Sequence, residues 1–334
     1  MSFFEKNRLN WFIPALIWMA PSAFADEITT CREIKADSAR LACFDALAKP
    51  ASSITATQDP SGEATKQPPS DAPATPGVLT ERIESQKKAD DNPFLIKAYK
   101  PNYILLGAYT TNRLASDVYD FKPQNTEAKF QLSFQFNWWD HPFGKNTAFY
   151  FGYSQLSFWQ VYNSSVSSPF RETNYEPEIG LDLTTDTHLA GLDFRKVRMS
   201  FIHQSNGQGG LRSRSWNRLA LQTGFERGDF AGSLRGWYRI PESRATDDNP
   251  DITDYLGYGD LTLGYKLGTG TVSATLRNNL KSQNRGSVEL NYSFPFNKHV
   301  QAYVQYFNGY GESLIDYNRS INRIGIGFSL NNWF

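Results

Sequence analysis

Tyr175-Glu176-Pro177-Glu178-Ile179-Gly180-Leu181-Asp182-Leu183 is the stretch that decides the fold. Side chains of an extended strand alternate between two faces, so Tyr175, Ile179, Leu181 and Leu183 share one face while Glu176, Glu178 and Asp182 share the other. Strict charge parity of this kind is what a transmembrane barrel demands, because a charge on the lipid face costs about 2–4 kcal/mol at mid-bilayer and is tolerated only inside.

The same parity recurs along the chain. Phe130, Leu132, Phe134 and Phe136 oppose Lys129, Gln131 and Gln135. Tyr255, Leu261, Leu263, Tyr265 and Leu267 oppose Asp260 and Lys266; Val272, Ala274, Leu276 and Leu280 oppose Arg277; Val288, Leu290, Tyr292 and Phe294 oppose Glu289. Counting such runs predicts twelve strands, near 103–111, 128–136, 148–159, 175–184, 194–205, 214–225, 230–240, 255–267, 271–281, 286–295, 300–308 and 323–334. Each is close to the ~9–11 residues a tilted spanning strand needs. Short turns (184–187, 227–229, 268–270, 295–299) alternate mostly with long polar loops (112–127, 160–173, 206–213, 241–254, 309–322), as in outer-membrane barrels whose short turns face the periplasm. The phase of 148–159 stays ambiguous, since aromatic residues lie on both faces. The expectation is an all-β, twelve-stranded antiparallel transmembrane barrel over 91–334.

Upstream of the barrel the texture differs. Lys6 and Arg8, the apolar run from Trp11 to Met19 and Ala23-Phe24-Ala25 form an export signal over 1–25. Residues 26–48 read as a short periplasmic segment whose Cys31 and Cys43 form a local disulfide or remain two free thiols. Residues 49–90 read as a linker, rich in Pro, Ser, Thr and Ala up to about 78, with too few large apolar side chains to offset ordering entropy. With 34 basic and 34 acidic residues the chain has no electrostatic footprint for nucleic acid. A mean hydropathy of −0.51 suggests solubility, yet a barrel's polar lumen masks its apolar band in any average; 24 Phe, 17 Tyr and 8 Trp fit the barrel.

One place breaks the apolar-outside rule. Parity puts His203 and Ser205 with Val197, Met199 and Phe201, and Asn217 with Leu219 and Leu221, on the lipid side near the loop end of two strands joined by a hairpin. An imidazole, a hydroxyl and an amide there suggest nucleophilic attack on an acyl ester: Ser205 as nucleophile, His203 as base and Asn217 as the group orienting the ring. A neutral orienter suits a wall where a carboxylate would be costly to desolvate. Two residues of rise separate Ser205 from His203 by ~7 Å, so a bulge or bend is expected to bring them together. The plainer alternative is polar decoration at the membrane interface.

His203-Gln-Ser205-Asn-Gly207, Ser213-Arg-Ser-Trp-Asn217-Arg, Ser167-Ser-Pro-Phe-Arg-Glu-Thr-Asn-Tyr-Glu-Pro177, Thr246-Asp-Asp-Asn-Pro-Asp-Ile-Thr253 and Gly309-Tyr-Gly-Glu-Ser-Leu-Ile-Asp-Tyr-Asn318 together resemble the bacterial outer membrane phospholipase A family. The resemblance covers about residues 92–334. It implies a multi-pass barrel in the bacterial outer membrane, with its N-terminal extension in the periplasm. Its active site at the outer leaflet would hydrolyse sn-1 and sn-2 acyl esters of phospholipids and lysophospholipids. It also implies calcium, activity as a homodimer, and the Gly207 amide in the oxyanion hole. The metal would be held by the Ser213 hydroxyl, the Gln208 carbonyl and Ser167 of the partner subunit, and Gln155 would lie in the dimer interface. Asp248 is a candidate ligand in a monomeric calcium site, or a residue of a solvated turn. Two positions depart from the family's pattern: Gln208 stands where it has arginine and Gly210 where it has an acidic residue, which leaves the calcium loop one carboxylate short. The competing functions are a channel or porin, and a barrel lipid acyltransferase.

Overall fold

The computed structural model describes residues 76–90, 96–112, 114, 118–243 and 245–331, with the isolated position 38. The export signal, both cysteines and most of the linker lie outside the described residues, as do positions 332–334.

Twelve antiparallel strands close into a barrel. They are β2 (Tyr103–Thr110), β3 (Thr126–Asp140), β4 (Thr147–Trp159), β5 (Phe170–Leu189), β6 (Leu192–Ser205), β7 (Ser215–Arg227), β8 (Phe230–Arg239), β9 (Gly259–Leu267), β10 (Gly270–Asn278), β11 (Gly286–Pro295), β12 (Gln301–Gly309) and β13 (Ile321–Ser329). Each pairs with its sequence neighbours, and β13 pairs back onto β2. A two-residue strand, β1 (Lys97–Ala98), adds to β3 through Gln135 and Phe134. Closure leaves no unpaired edge, the condition for putting backbone polar groups in hydrocarbon.

Side-chain direction follows the predicted parity. Leu132, Ile179, Met199, Leu221, Tyr265 and Ile326 are exposed on the outside, while Lys129, Glu176, Glu178, Asp182, Arg198 and Asp260 are buried within. Strand β4 resolves its ambiguity: Tyr150 and Phe158 are fully buried in the lumen, which turns Phe149, Phe151, Tyr153 and Gln155 outward. Trp138, Trp139, Phe143 and Phe149 pack against one another near the short β3–β4 turn, an aromatic group of the kind that marks a membrane–water interface.

The lumen is filled. Arg171 makes a bidentate pair with Glu127 (2.9 Å for each bond) and reaches Asp316 at 2.7 Å. Arg323 pairs with Glu127 and Glu312, and Lys129 with Glu312 at 3.0 Å. Farther down, Arg218 meets Glu176 at 2.7 Å, Arg235 meets Asp260 at 2.6 Å, and Arg198 bonds Asp182 while its guanidinium lies 3.8 Å from the Tyr150 ring centre. The β12–β13 loop folds inward, so that Leu314 and Tyr317 join Ile202, Trp216, Trp237, Ile252 and Leu256 in an apolar cluster.

Four sequence readings need correction. The β5–β6 turn is Ala190-Gly191, not 184–187; both residues take positive φ (53° and 78°), the primed turn that matches strand twist. The Thr-rich stretch stays in strand, with Thr185 Oγ1 donating to the Phe194 carbonyl at 2.7 Å. Strand β5 begins at Phe170, earlier than read, because Arg171 and Glu172 face a lumen that satisfies them. Tyr255 is not an outward strand residue: it lies in a single helical turn, α2 (Thr253–Leu256), and packs on the inner apolar cluster. Finally, the stretch read as linker contains a helix, α1 (Val78–Asp90). Leu79, Arg82, Ile83 and Gln86 line one side of it against Tyr99, Gln135 and Arg198 at the short-turn end of the barrel. Its first amides, Leu79 N and Thr80 N, donate to the Glu226 carboxylate at 2.8 and 3.0 Å. An anion at a helix N-terminus caps orphan N–H groups and opposes the helix dipole, a stabilisation invisible in local composition because Glu226 comes from β7.

Candidate active site

Strands β6 and β7 pair without a shift from Val197 to Ser205, which sets His203 directly opposite Asn217 and Ser205 opposite Ser215. Below them Phe201 pairs with Leu219, both exposed on the wall. The alternate residues Ile202, Trp216 and Arg218 are buried in the lumen, and Gln204 accepts the Trp216 indole N–H there at 2.8 Å. His203, Ser205 and Asn217 therefore emerge on the lipid side, beside the long 206–214 loop. The structure brings these three predicted residues onto one patch.

His203 Nδ1 and Asn217 Oδ1 are 2.8 Å apart. An amide oxygen only accepts, so Nδ1 carries the hydrogen and Nε2 is left with its lone pair. The anticipated bulge between His203 and Ser205 is absent. Ser205 Oγ makes no hydrogen bond among the described residues, so the hydroxyl is uncommitted; nucleophile–base bonds often tighten only when substrate is bound.

The turn leaving Ser205 is held by a residue that sequence reasoning missed. Asn206 is buried; its amide donates to the Arg212 carbonyl at 2.8 Å, and its Oδ1 accepts from Arg214 N at 3.0 Å and Gln208 N at 3.3 Å. Gly207 takes φ +64°, and a Cβ there would stand 3.2 Å from the Tyr175 ring. Both facts favour glycine at that position. The alternation pattern gave no signal for Asn206, because its partners lie across a non-repetitive loop.

Ser213 and Asp248, 35 positions apart, meet: the hydroxyl donates to the Asp248 carboxylate. Asn249, fully buried, fixes that loop by accepting Ser215 N at 2.9 Å. The Ser213 hydroxyl and the Asp248 carboxylate stand side by side as oxygen donors, the kind a hard cation such as calcium prefers. Among the described residues no group of three or more His, Cys, Asp or Glu side chains could hold a metal, so such a site would depend on carbonyls and hydroxyls. Ser167 lies apart in the β4–β5 loop, exposed and with φ +59°; the chain does not bring it to Ser213.

Gln155 points outward and lies in one cross-strand row with Tyr175 and Ser205. It bonds the Ser157 hydroxyl at 3.1 Å, and that hydroxyl also takes the Thr173 hydroxyl at 3.2 Å. A polar stripe thus runs along the wall from Gln155 to the His203–Asn217 pair.

A closed barrel with a filled lumen and an imidazole–amide pair on its outer wall belongs to the class of outer-membrane β-barrel enzymes. The phospholipase A1 family model matches residues 79–330. Phospholipase A1 of Escherichia coli K12 is 42% identical over 275 residues, covering 81% of this chain and 93% of the relative; that of Proteus vulgaris is 39% identical over 264 residues, covering 78% and 90%. The solved outer membrane phospholipase A of Escherichia coli superposes with a TM-score of 0.69 at 42% identity, over 72% of this chain and 100% of that one. The outer membrane phospholipase dimer of Salmonella typhi with bound calcium gives a TM-score of 0.69 at 42% identity, over 73% and 95%. The chain belongs to the phospholipase A1 family of outer-membrane enzymes.

Proposed function

We propose that this protein is a calcium-dependent phospholipase that hydrolyses sn-1 and sn-2 acyl esters of phospholipids and lysophospholipids at the outer leaflet. The observation that carries the reading is the 2.8 Å His203–Asn217 contact on the lipid-facing wall with Ser205 on the same face. Ser205 Oγ adds to the ester carbonyl carbon while His203 Nε2 takes its proton. The tetrahedral adduct collapses, the alcohol part of the lipid leaves with that proton, and water repeats the sequence to release the fatty acid. Asn217 keeps the ring in the tautomer that presents a lone pair to the serine. The backbone N–H of Gly207, in the turn after the nucleophile, is the proposed donor to the oxyanion.

Ser213, Asp248 and the Gln208 carbonyl would hold calcium beside that turn, joined in a homodimer by Ser167 of the partner subunit. Calcium bound there supplies positive charge where the oxyanion develops. The outward row from Gln155 to Ser205 supports a dimer seam beside the site, since an amide facing hydrocarbon gains from a second subunit.

Two observations count against a channel. Ion pairs such as Arg218–Glu176, Arg235–Asp260 and Lys129–Glu312 stand across the lumen, and the uncommitted Ser205 hydroxyl beside lipid has no role in a passive barrel. Fatty-acid release from mixed micelles, with and without calcium, tests the reading: release that depends on Ser205 and on calcium supports it. Transfer of acyl chains to a second lipid without free fatty acid would assign the site to an acyltransferase instead.

A further inference from the structure

An amide has two chemically opposite ends of nearly the same size, and Asn217 works only one way round. With Oδ1 toward His203, the ring carries its hydrogen on Nδ1 and offers Nε2 as a base. Turned by half a circle, the amide would offer NH2 to the ring, Nδ1 would accept, and the hydrogen would move to Nε2, where it blocks proton transfer from Ser205. The other side of Asn217 is occupied: Nδ2 donates to Glu242 Oε1 at 3.4 Å. A carboxylate only accepts, so Glu242 is compatible with one of the two amide orientations and repels the other.

We propose that Glu242 is a positioning residue that locks the Asn217 amide in its working orientation, completing a His203–Asn217–Glu242 relay. The inference rests on the catalytic reading given above. Glu242 is half-buried in the β8–β9 loop, where two other described carboxylates are engaged elsewhere. Asp247 pairs with Arg239 at 2.6 Å, and Asp248 accepts from Ser213. On the opposite flank β5 presents Tyr175 and the uncharged Pro177; Glu176 and Arg218 pair with each other inside the lumen. Glu242 is thus the carboxylate that faces the amide. Its arrangement also explains how a neutral orienter serves on a lipid-facing wall: the negative charge stands one residue back, in the loop, where water reaches it.

The test is a double-mutant cycle on fatty-acid release, in folded protein judged by heat-resistant barrel mobility on gels. E242A should lower kcat/KM by about 3–10-fold, mostly through kcat, as the amide loses its lock. On a carboxylate at the neighbouring position the lock is pointless, since both oxygens accept. Whatever rate N217D keeps, E242A added to it should cost nothing further or restore rate by removing a like charge. Equal losses from E242A on both backgrounds, or full activity of E242A alone, would each overturn the proposal. Failure of the underlying reading shows separately, as hydrolysis that survives Ser205→Ala.

Discussion

The two faces of the same wall handle polar groups in opposite ways. Inside, charged side chains share partners: Glu127 alone takes two bonds from Arg171, one from Gln160 and a pair with Arg323. Outside, in the polar patch around His203, contacts are few and local: His203 meets Asn217, Asn217 meets Glu242, and Ser205 is left uncommitted. The paired interior makes structure. The sparse exterior holds reactive groups that nothing else occupies, and it is there that chemistry is possible.

The largest effect should come from removing the uncommitted hydroxyl. Ser205→Ala should lower fatty-acid release by roughly 10³-fold or more while the barrel keeps its heat-resistant mobility on gels; wild-type turnover in the folded variant would erase the distinction between the faces. Next comes the interior. Glu127→Ala takes a shared carboxylate from two buried guanidiniums, leaving Arg171 the carboxylate of Asp316 and Arg323 that of Glu312, and should destabilise the barrel by about 3 kcal/mol, read as a lowered urea midpoint in micelles. An unchanged midpoint would mean the shared pairing is redundant.

Asn217→Ala should sit between these in character, costing about 10–100-fold in kcat with no loss of stability, because it removes an orienting bond and not the nucleophile. A smaller shift is expected from Gly210→Asp. A carboxylate added to the loop proposed to hold calcium should reduce the calcium concentration for half-maximal activity several-fold, by roughly 1 kcal/mol of added attraction; an unaltered calcium titration would place the metal elsewhere.

The smallest effect concerns acid. Burial pushes the Glu312 carboxyl up, but Arg323 and Lys129 beside it outweigh burial and leave it below the ordinary value. A depressed carboxyl contributes stability above the unfolded-state pKa and loses it as pH falls through the folded one. The interior loop should therefore loosen only in strong acid, and a Glu312→Gln variant should lose that step from the profile of unfolding midpoint against pH.

Local pattern was sufficient for the barrel and for the lipid-side position of the three reactive groups, since period-two alternation assigns every strand residue to a face and a hairpin places its two strands side by side. It failed where non-local partners decide. Thr184–Thr187 resembled a turn by composition, yet the strand continues to Ala190-Gly191. Tyr255 had the right parity for the wall, but the inward fold of the β12–β13 loop gives it an apolar neighbour inside. The helix α1 was hidden because its cap, Glu226, is 147 residues from Leu79.

The chain of residues by itself determined the alternation, hence which groups face lipid and which face the lumen, because side-chain direction in a strand depends only on parity. Tertiary structure decided the rest: which loop carboxylate stands behind Asn217, that Asp248 reaches Ser213, and that Asn206 shapes the turn after Ser205. Those contacts join positions brought together only when the sheet closes on itself, and no periodicity along a strand encodes which loop will lie beside which.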